Sequence, residues 1–112
     1  MIDLNNKRFR GQSNSSDGEV DSATIFHYYQ DGPIIWGQYA GGTIVKGTLT
    51  GVIIDRETFH FNYNHVNNDS QLLSGYCHSV ITKLDSGKLK INESWKWSGG
   101  KAGEGQSIII EI

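Results

Sequence analysis

The chain contains one cysteine, Cys77, and one proline, Pro33. A lone cysteine excludes an intramolecular disulfide and any multi-cysteine zinc or iron–sulfur site, and it fits a reducing compartment. A lone proline leaves long strand interiors uninterrupted. No stretch approaches the ~20 consecutive apolar residues that a membrane-spanning helix needs. The opening Met-Ile-Asp-Leu-Asn-Asn-Lys-Arg-Phe-Arg has no apolar core of the signal-peptide kind. We therefore expect a cytoplasmic protein with no membrane partner. Charge of one sign is missing too. The 12 acidic and 10 basic residues are mixed along the chain and leave a formal net charge of -2. Such a chain presents no broad positive field to a phosphate backbone, and nucleic acid is not expected as a partner. Convincing helical periodicity is absent throughout.

What the chain has instead is glycine and aromatic rings: 14 Gly, 3 Trp, 5 Tyr and 4 Phe in 112 residues. That length supports one core and one domain over 1–112. Residues 18–30 alternate with period two, Val20, Ser22, Thr24, Phe26 and Tyr28 against their neighbours, and predict a long strand. Asp31-Gly32 predicts a hairpin turn, Ile34 to Ala40 the returning strand, and Gly41-Gly42 the next turn. Thr43 to Thr50 continues the meander, with a bulge or bend expected at Gly51 before Val52-Ile53-Ile54. Phe59 to His65 alternates rings with short polar side chains, and Gln71 to Leu84 follows a polar turn. Lys88 to Trp97 is the most amphipathic stretch: Leu89, Ile91, Glu93, Trp95 and Trp97 share one face, with Lys88, Lys90, Asn92, Ser94 and Lys96 on the other. Gln106 to Ile112 supplies a last strand. With Lys7 to Ser13 this makes about eight or nine antiparallel strands. No helix is available to cover the sheet's apolar face, so the up-and-down meander must close or fold over itself, and closure into a small barrel is the simplest solution.

Chemistry is sought first at Glu93, a carboxylate in register with apolar residues. Burial of such a group demands pairing, hydrogen bonding, or a cavity that admits water or ligand; the ordinary arrangement is a bond to a buried Tyr, His or Arg. Histidines 27, 60, 65 and 78 are the other titratable candidates. His65 and His78 are expected to face each other across neighbouring strands, with Tyr63 and Tyr76 beside them. His60 and His65, five residues apart on one strand, point to opposite faces and cannot share a metal, so no metal is expected. Cys77 has no nucleophile-elbow sequence around it and reads as a small buried hydrophobe. The glycines at 37, 41, 42, 47 and 51 open no helix that would hold a phosphate, and no cofactor is expected.

The runs Ile25-Phe26-His27-Tyr28-Tyr29, Gly41-Gly42-Thr43-Ile44-Val45-Lys46-Gly47 and Glu93-Ser94-Trp95-Lys96-Trp97 resemble a family of short bacterial proteins of about this length. Many of these carry the label N-acetylglutamate synthase. An acetyltransferase of the usual kind needs a mixed α/β fold with a glycine-containing pyrophosphate loop opening a helix, and these residues offer neither, so that activity is not expected. The resemblance implies no catalytic residues. In strand number the chain is also similar to the lipocalin and fatty-acid-binding (calycin-like) barrels.

Three readings follow. The first is a barrel that binds a small, partly apolar molecule, lined by Trp36, Tyr63, Tyr76, Trp95 and Trp97, with Glu93 and His65 or His78 as polar handles. The second is a small isomerase or hydrolase using Glu93 or His78 as general base. The third is a filled barrel that acts through protein contacts, including contacts with a second copy of itself.

Overall fold

The computed structural model describes residues 2–112. Eight antiparallel strands follow one another: β1 (Lys7–Asn14), β2 (Ile25–Asp31), β3 (Ile34–Gly41), β4 (Ile44–Ile53), β5 (Thr58–Asn67), β6 (Leu72–Lys83), β7 (Leu89–Gly99) and β8 (Glu104–Glu111). Each pairs with the next, and β8 pairs back onto β1, so the sheet closes into an up-and-down barrel. Closure satisfies the ladder groups that two free edges would leave open, which is why a helix-free chain of alternating strands adopts it.

Three features differ from the sequence pattern. Residues 18–24 alternate as a strand would, yet they lie in the β1–β2 connection. Asp21 organises a turn there: its Oδ1 accepts from the Ala23 amide at 2.8 Å, and its carbonyl accepts from the Thr24 amide at 3.1 Å. An Asp side chain that bonds the backbone two residues on competes with the ladder and wins. Gly51 does not break its strand. β4 runs through it, and the irregularity lies between Ile44 and Lys46. The β2–β3 turn has two loop residues, Gly32 at φ 58° and Pro33, one position later than Asp31-Gly32 suggests.

The two ends of the barrel are built differently. At the end where β1 begins, residues 2–6 fold across the opening, Ile2 and Leu4 are buried, and Leu4 is fully enclosed. The Gln30 side chain fastens them, its Oε1 accepting from the Leu4 amide at 2.8 Å and its Nε2 donating to the Ile2 carbonyl at 2.9 Å. Phe9, Tyr28, Ile35, Phe59, Ile91 and Ile109 fill the space above them. At the opposite end the rings are larger, and the mouth is covered mainly by the β1–β2 connection, with Lys101 of the β7–β8 connection at its rim.

Candidate functional site

β7 supplies the site's main wall. Ile91, Glu93, Trp95 and Trp97 all point inward, as the alternation requires, while Asn92, Ser94 and Lys96 face solvent. Register then fixes the neighbours of Glu93: Ser79 on β6 and Ser107 on β8. Glu93 is 5% exposed, and its Oε1 accepts a hydrogen bond from Ser107 Oγ at 2.9 Å. Its partner is thus a serine, in place of the Tyr, His or Arg expected. Burial pushes the carboxyl up to about 7, against the smaller opposing effect of the Ser107 and Cys77 hydrogen bonds. Near neutrality Glu93 exists both as an acid that donates and as a carboxylate that accepts. Cys77 sits beside it, buried, with its thiol pushed well up by desolvation and by the nearby Glu93 charge, so it stays protonated and unreactive.

Above Glu93 the rings Phe26, Tyr39, Phe61, Tyr63, Trp95 and Trp97 surround a cavity of about 40 Å³ that His65 and Glu19 also line. Glycines let those rings lie across it. A Cβ at Gly47 would run into the Tyr39 ring opposite, and one at Gly75 into Tyr63. Polar groups sit at the rim. The Trp95 indole N–H donates to Asn14 Oδ1 and the Trp97 N–H to the Asp17 carbonyl, both at 3.0 Å. His65 is 2% exposed; the Tyr39 hydroxyl donates to its Nδ1 at 2.9 Å, and its Nε2–H donates to Glu19 Oε1 at 2.8 Å. That tautomer satisfies both partners.

The structure therefore brings Tyr63, His65, Glu93, Trp95 and Trp97 together and leaves Trp36, Tyr76 and His78 outside. Trp36 is 42% exposed on the outer face of β3, stacked on Tyr29 at 6.1 Å between ring centroids, because Ile35, Gly37 and Tyr39 take the inward positions. Tyr76, 43% exposed, and His78 lie on the outer face of β6. The inward face of β6 carries Leu73, Gly75, Cys77 and Ser79, which are mostly small because the rings of β5 and β7 occupy the space in front of them. A small barrel needs such small positions opposite large ones, so size misleads as a guide to inward facing. In consequence His78 pairs with His60, and His65 with Leu73. His60 shares a 2.7 Å hydrogen bond with the Tyr76 hydroxyl outside the barrel, and His27 shares one with Asn6.

Sequence reasoning missed Tyr39, Phe26, Asn14, Ser107 and Glu19. Tyr39 and Phe26 sit on clean alternating strands, and that alternation was the available signal. Glu19 carried none, since its role depends on how the β1–β2 connection folds back.

A family model described as "Avidin-like protein" matches residues 2–112. No curated protein and no solved structure matches the chain.

Proposed function

The chain belongs to the avidin-like family, and from that premise we propose that it is a binding protein that holds a small, partly apolar molecule inside the barrel. The observation that carries this reading is the contrast between the two halves of the interior. One half is filled with aliphatic and aromatic side chains; the other leaves space among two tryptophans and two tyrosines, with the Glu93 carboxyl beside the Cys77 thiol at its floor. Apolar walls with a few convergent polar groups are the usual makeup of a ligand site. A volume of about 40 Å³ is roughly a quarter of the ~150 Å³ of a cavity known to take benzene. Any metabolite-sized occupant must therefore displace part of the rim, and the least enclosed part is the β1–β2 connection.

The test is a thermal-shift and tryptophan-emission screen of ring-bearing metabolites, with a biotin-like molecule as the first probe. Ligand that binds only the folded state raises Tm by mass action. A compound that raises Tm and shifts emission, with the effect lost in Trp95→Phe and altered in Glu93→Gln, supports the reading. A silent screen against a folded protein overturns it. The enzymatic reading loses His78, which lies outside the cavity, and retains Glu93 alone of its two general-base candidates.

A second observation favours self-association. The outer wall from β3 to β6 carries Ile34, Trp36, Thr50, Val52, His60 and Tyr76, and no charged side chain lies between Lys46 near one rim and Lys83 near the other. Cations gather instead on β1 and β7, at Arg8, Arg10, Lys90 and Lys96. An uncharged aromatic face meets its own copy without charge repulsion or the cost of burying a charge.

A further inference from the structure

The mouth of the cavity is occupied by the chain's own carboxylate. Glu19 Oε1 accepts from His65 Nε2 at 2.8 Å and from Asn67 Nδ2 at 3.2 Å; Oε2 accepts from Asn67 Nδ2 at 3.1 Å and lies 3.9 Å from Lys101 Nζ. The two donors on β5 are fixed by groups other than Glu19. His65 is held by the Tyr39 hydroxyl on its far nitrogen and by the edge of Trp97 at 5.8 Å. Asn67 is held through its Oδ1, which accepts from the Asp69 and Gln71 amides of the β5–β6 turn, each at 3.0 Å, and through Nδ2, which also donates to Gln71 Oε1 at 2.8 Å. Lys101 lies over the Trp97 ring at 5.7 Å. Donors preorganised in this way, with a cation at the rim, form a receptor for an oxyanion. The segment that fills it belongs to no strand: Gly18, Glu19 and Val20 line the cavity. Residues 15–20 are held by a few discrete hydrogen bonds, Ser15 to the Gln106 backbone, the Asp17 carbonyl to the Trp97 indole and the Val20 carbonyl to the Asn14 side-chain amide, which a ligand can exchange one by one.

We propose that His65, Asn67 and Lys101 form a carboxylate-binding subsite at the barrel mouth, which Glu19 fills as a tethered occupant, and that the ligand is an amphiphile whose terminal carboxylate displaces Glu19 while its apolar part enters the cavity. This rests on the small-molecule reading above and adds the ligand's chemical class and the way it enters. The exchange is close to charge-neutral, since one carboxylate replaces another on the same donors. Displacement also moves Gly18 and Val20 from the cavity wall, which provides the room that about 40 Å³ lacks. The tether sets the competition. A group tethered on a short segment presents an effective concentration of roughly millimolar or more, and a free carboxylate must overcome it to bind.

The experiment compares straight-chain carboxylates from butanoate to decanoate with their primary amides, in a Trp36→Phe background so that only Trp95 and Trp97 report. Affinities are read by tryptophan emission and calorimetry for the parent, Glu19→Ala and Glu19→Gln. Removing the tethered competitor should tighten carboxylate binding about tenfold or more in Glu19→Ala, by the effective-concentration argument, and tighten amide binding by a clearly smaller factor, since an amide uses the freed room but not the charge of the subsite. Glu19→Gln keeps the side chain's shape and gives up its charge, so it should favour the carboxylates in the same direction by a smaller factor. It also serves as the test if Glu19→Ala does not fold. Equal gains for acids and amides overturn the subsite and leave a plain steric plug over an intact binding cavity. Unchanged carboxylate affinity in both variants, with the amides still bound, overturns it as well. Silence of every probe with every folded variant overturns the subsite and the cavity reading together.

Discussion

Glu93 on β7 and Ser107 on β8 stand opposite each other inside the barrel, and the serine hydroxyl donates to the carboxyl at 2.9 Å. That hydrogen bond, with the smaller help of Cys77, does not offset the loss of water, so the folded chain ionises Glu93 near pH 7 where the unfolded chain ionises it near 4.5. Between those values the unfolded state has lost its proton while the folded state keeps it, and stability falls as pH rises. The loss is on the order of 3 kcal/mol at ~1.4 kcal/mol per pH unit, complete above pH 7. In Glu93→Gln this slope should vanish: the variant should match the parent at pH 4.5 and exceed it in Tm at pH 8. Identical pH profiles for the two proteins would show that Glu93 is solvated or otherwise paired.

Tyr28 is fully buried against Phe9 and Phe59, and among the described residues its hydroxyl is the buried side-chain oxygen without a hydrogen-bond partner. A buried group left unsatisfied costs about 1–3 kcal/mol. Tyr28→Phe removes the oxygen and keeps the ring, so it should stabilise the barrel by about 1 kcal/mol, read as a higher urea midpoint with an unchanged slope. A destabilised variant would mean that the hydroxyl bonds an internal water.

The barrel was legible from Lys88 to Trp97 and from Phe59 to His65, where apolar and polar side chains alternate without interruption and the period alone sets the inward face. β6 was not legible in the same way. Its outward positions carry Leu72, Tyr76 and His78 and its inward ones Gly75, Cys77 and Ser79, and only the rings of the neighbouring strands explain that inversion. Of the site, Glu93, Trp95 and Trp97 could be read from one strand. Glu19 could not, because it reaches His65 across 46 residues through a turn that Asp21 makes. Local periodicity reports which face a residue takes on its own strand; it carries no information on what a connection brings across the barrel.

Trp36 is the largest ring on the uncharged outer wall, on its β3 side, cross-paired with Tyr29 on one side and Thr50 on the other. If that wall joins two copies, Trp36→Lys places a charge within the contact, and losing a large aromatic anchor there costs on the order of 2 kcal/mol or more, about thirtyfold in the dimer constant. Sedimentation velocity should then show concentration-dependent association of the parent and a monomer for the variant at the same loading. A parent that sediments as a monomer at 100-fold dilution and at its highest soluble concentration alike would remove the self-association reading.

Leu4 and Glu19 close opposite ends of the barrel, and the two closures should respond unequally to mutation. Leu4 has no exposed surface, its amide is bonded to Gln30, and it belongs to the packed core. Leu4→Ala leaves a void that the surrounding strands cannot fully collapse, at about 2–5 kcal/mol. The segment around Glu19 contributes hydrogen bonds at a part-exposed rim, where removal of one pair is worth about 1 kcal/mol. Amide exchange should separate them without any mutation. The Leu4 amide should exchange only by global unfolding, while Gly18 and Val20, which form no part of a ladder, should exchange by local opening orders of magnitude faster. Equal protection at the two ends would mean that the mouth is sealed as firmly as the base, and no ligand could then enter by displacing the β1–β2 connection.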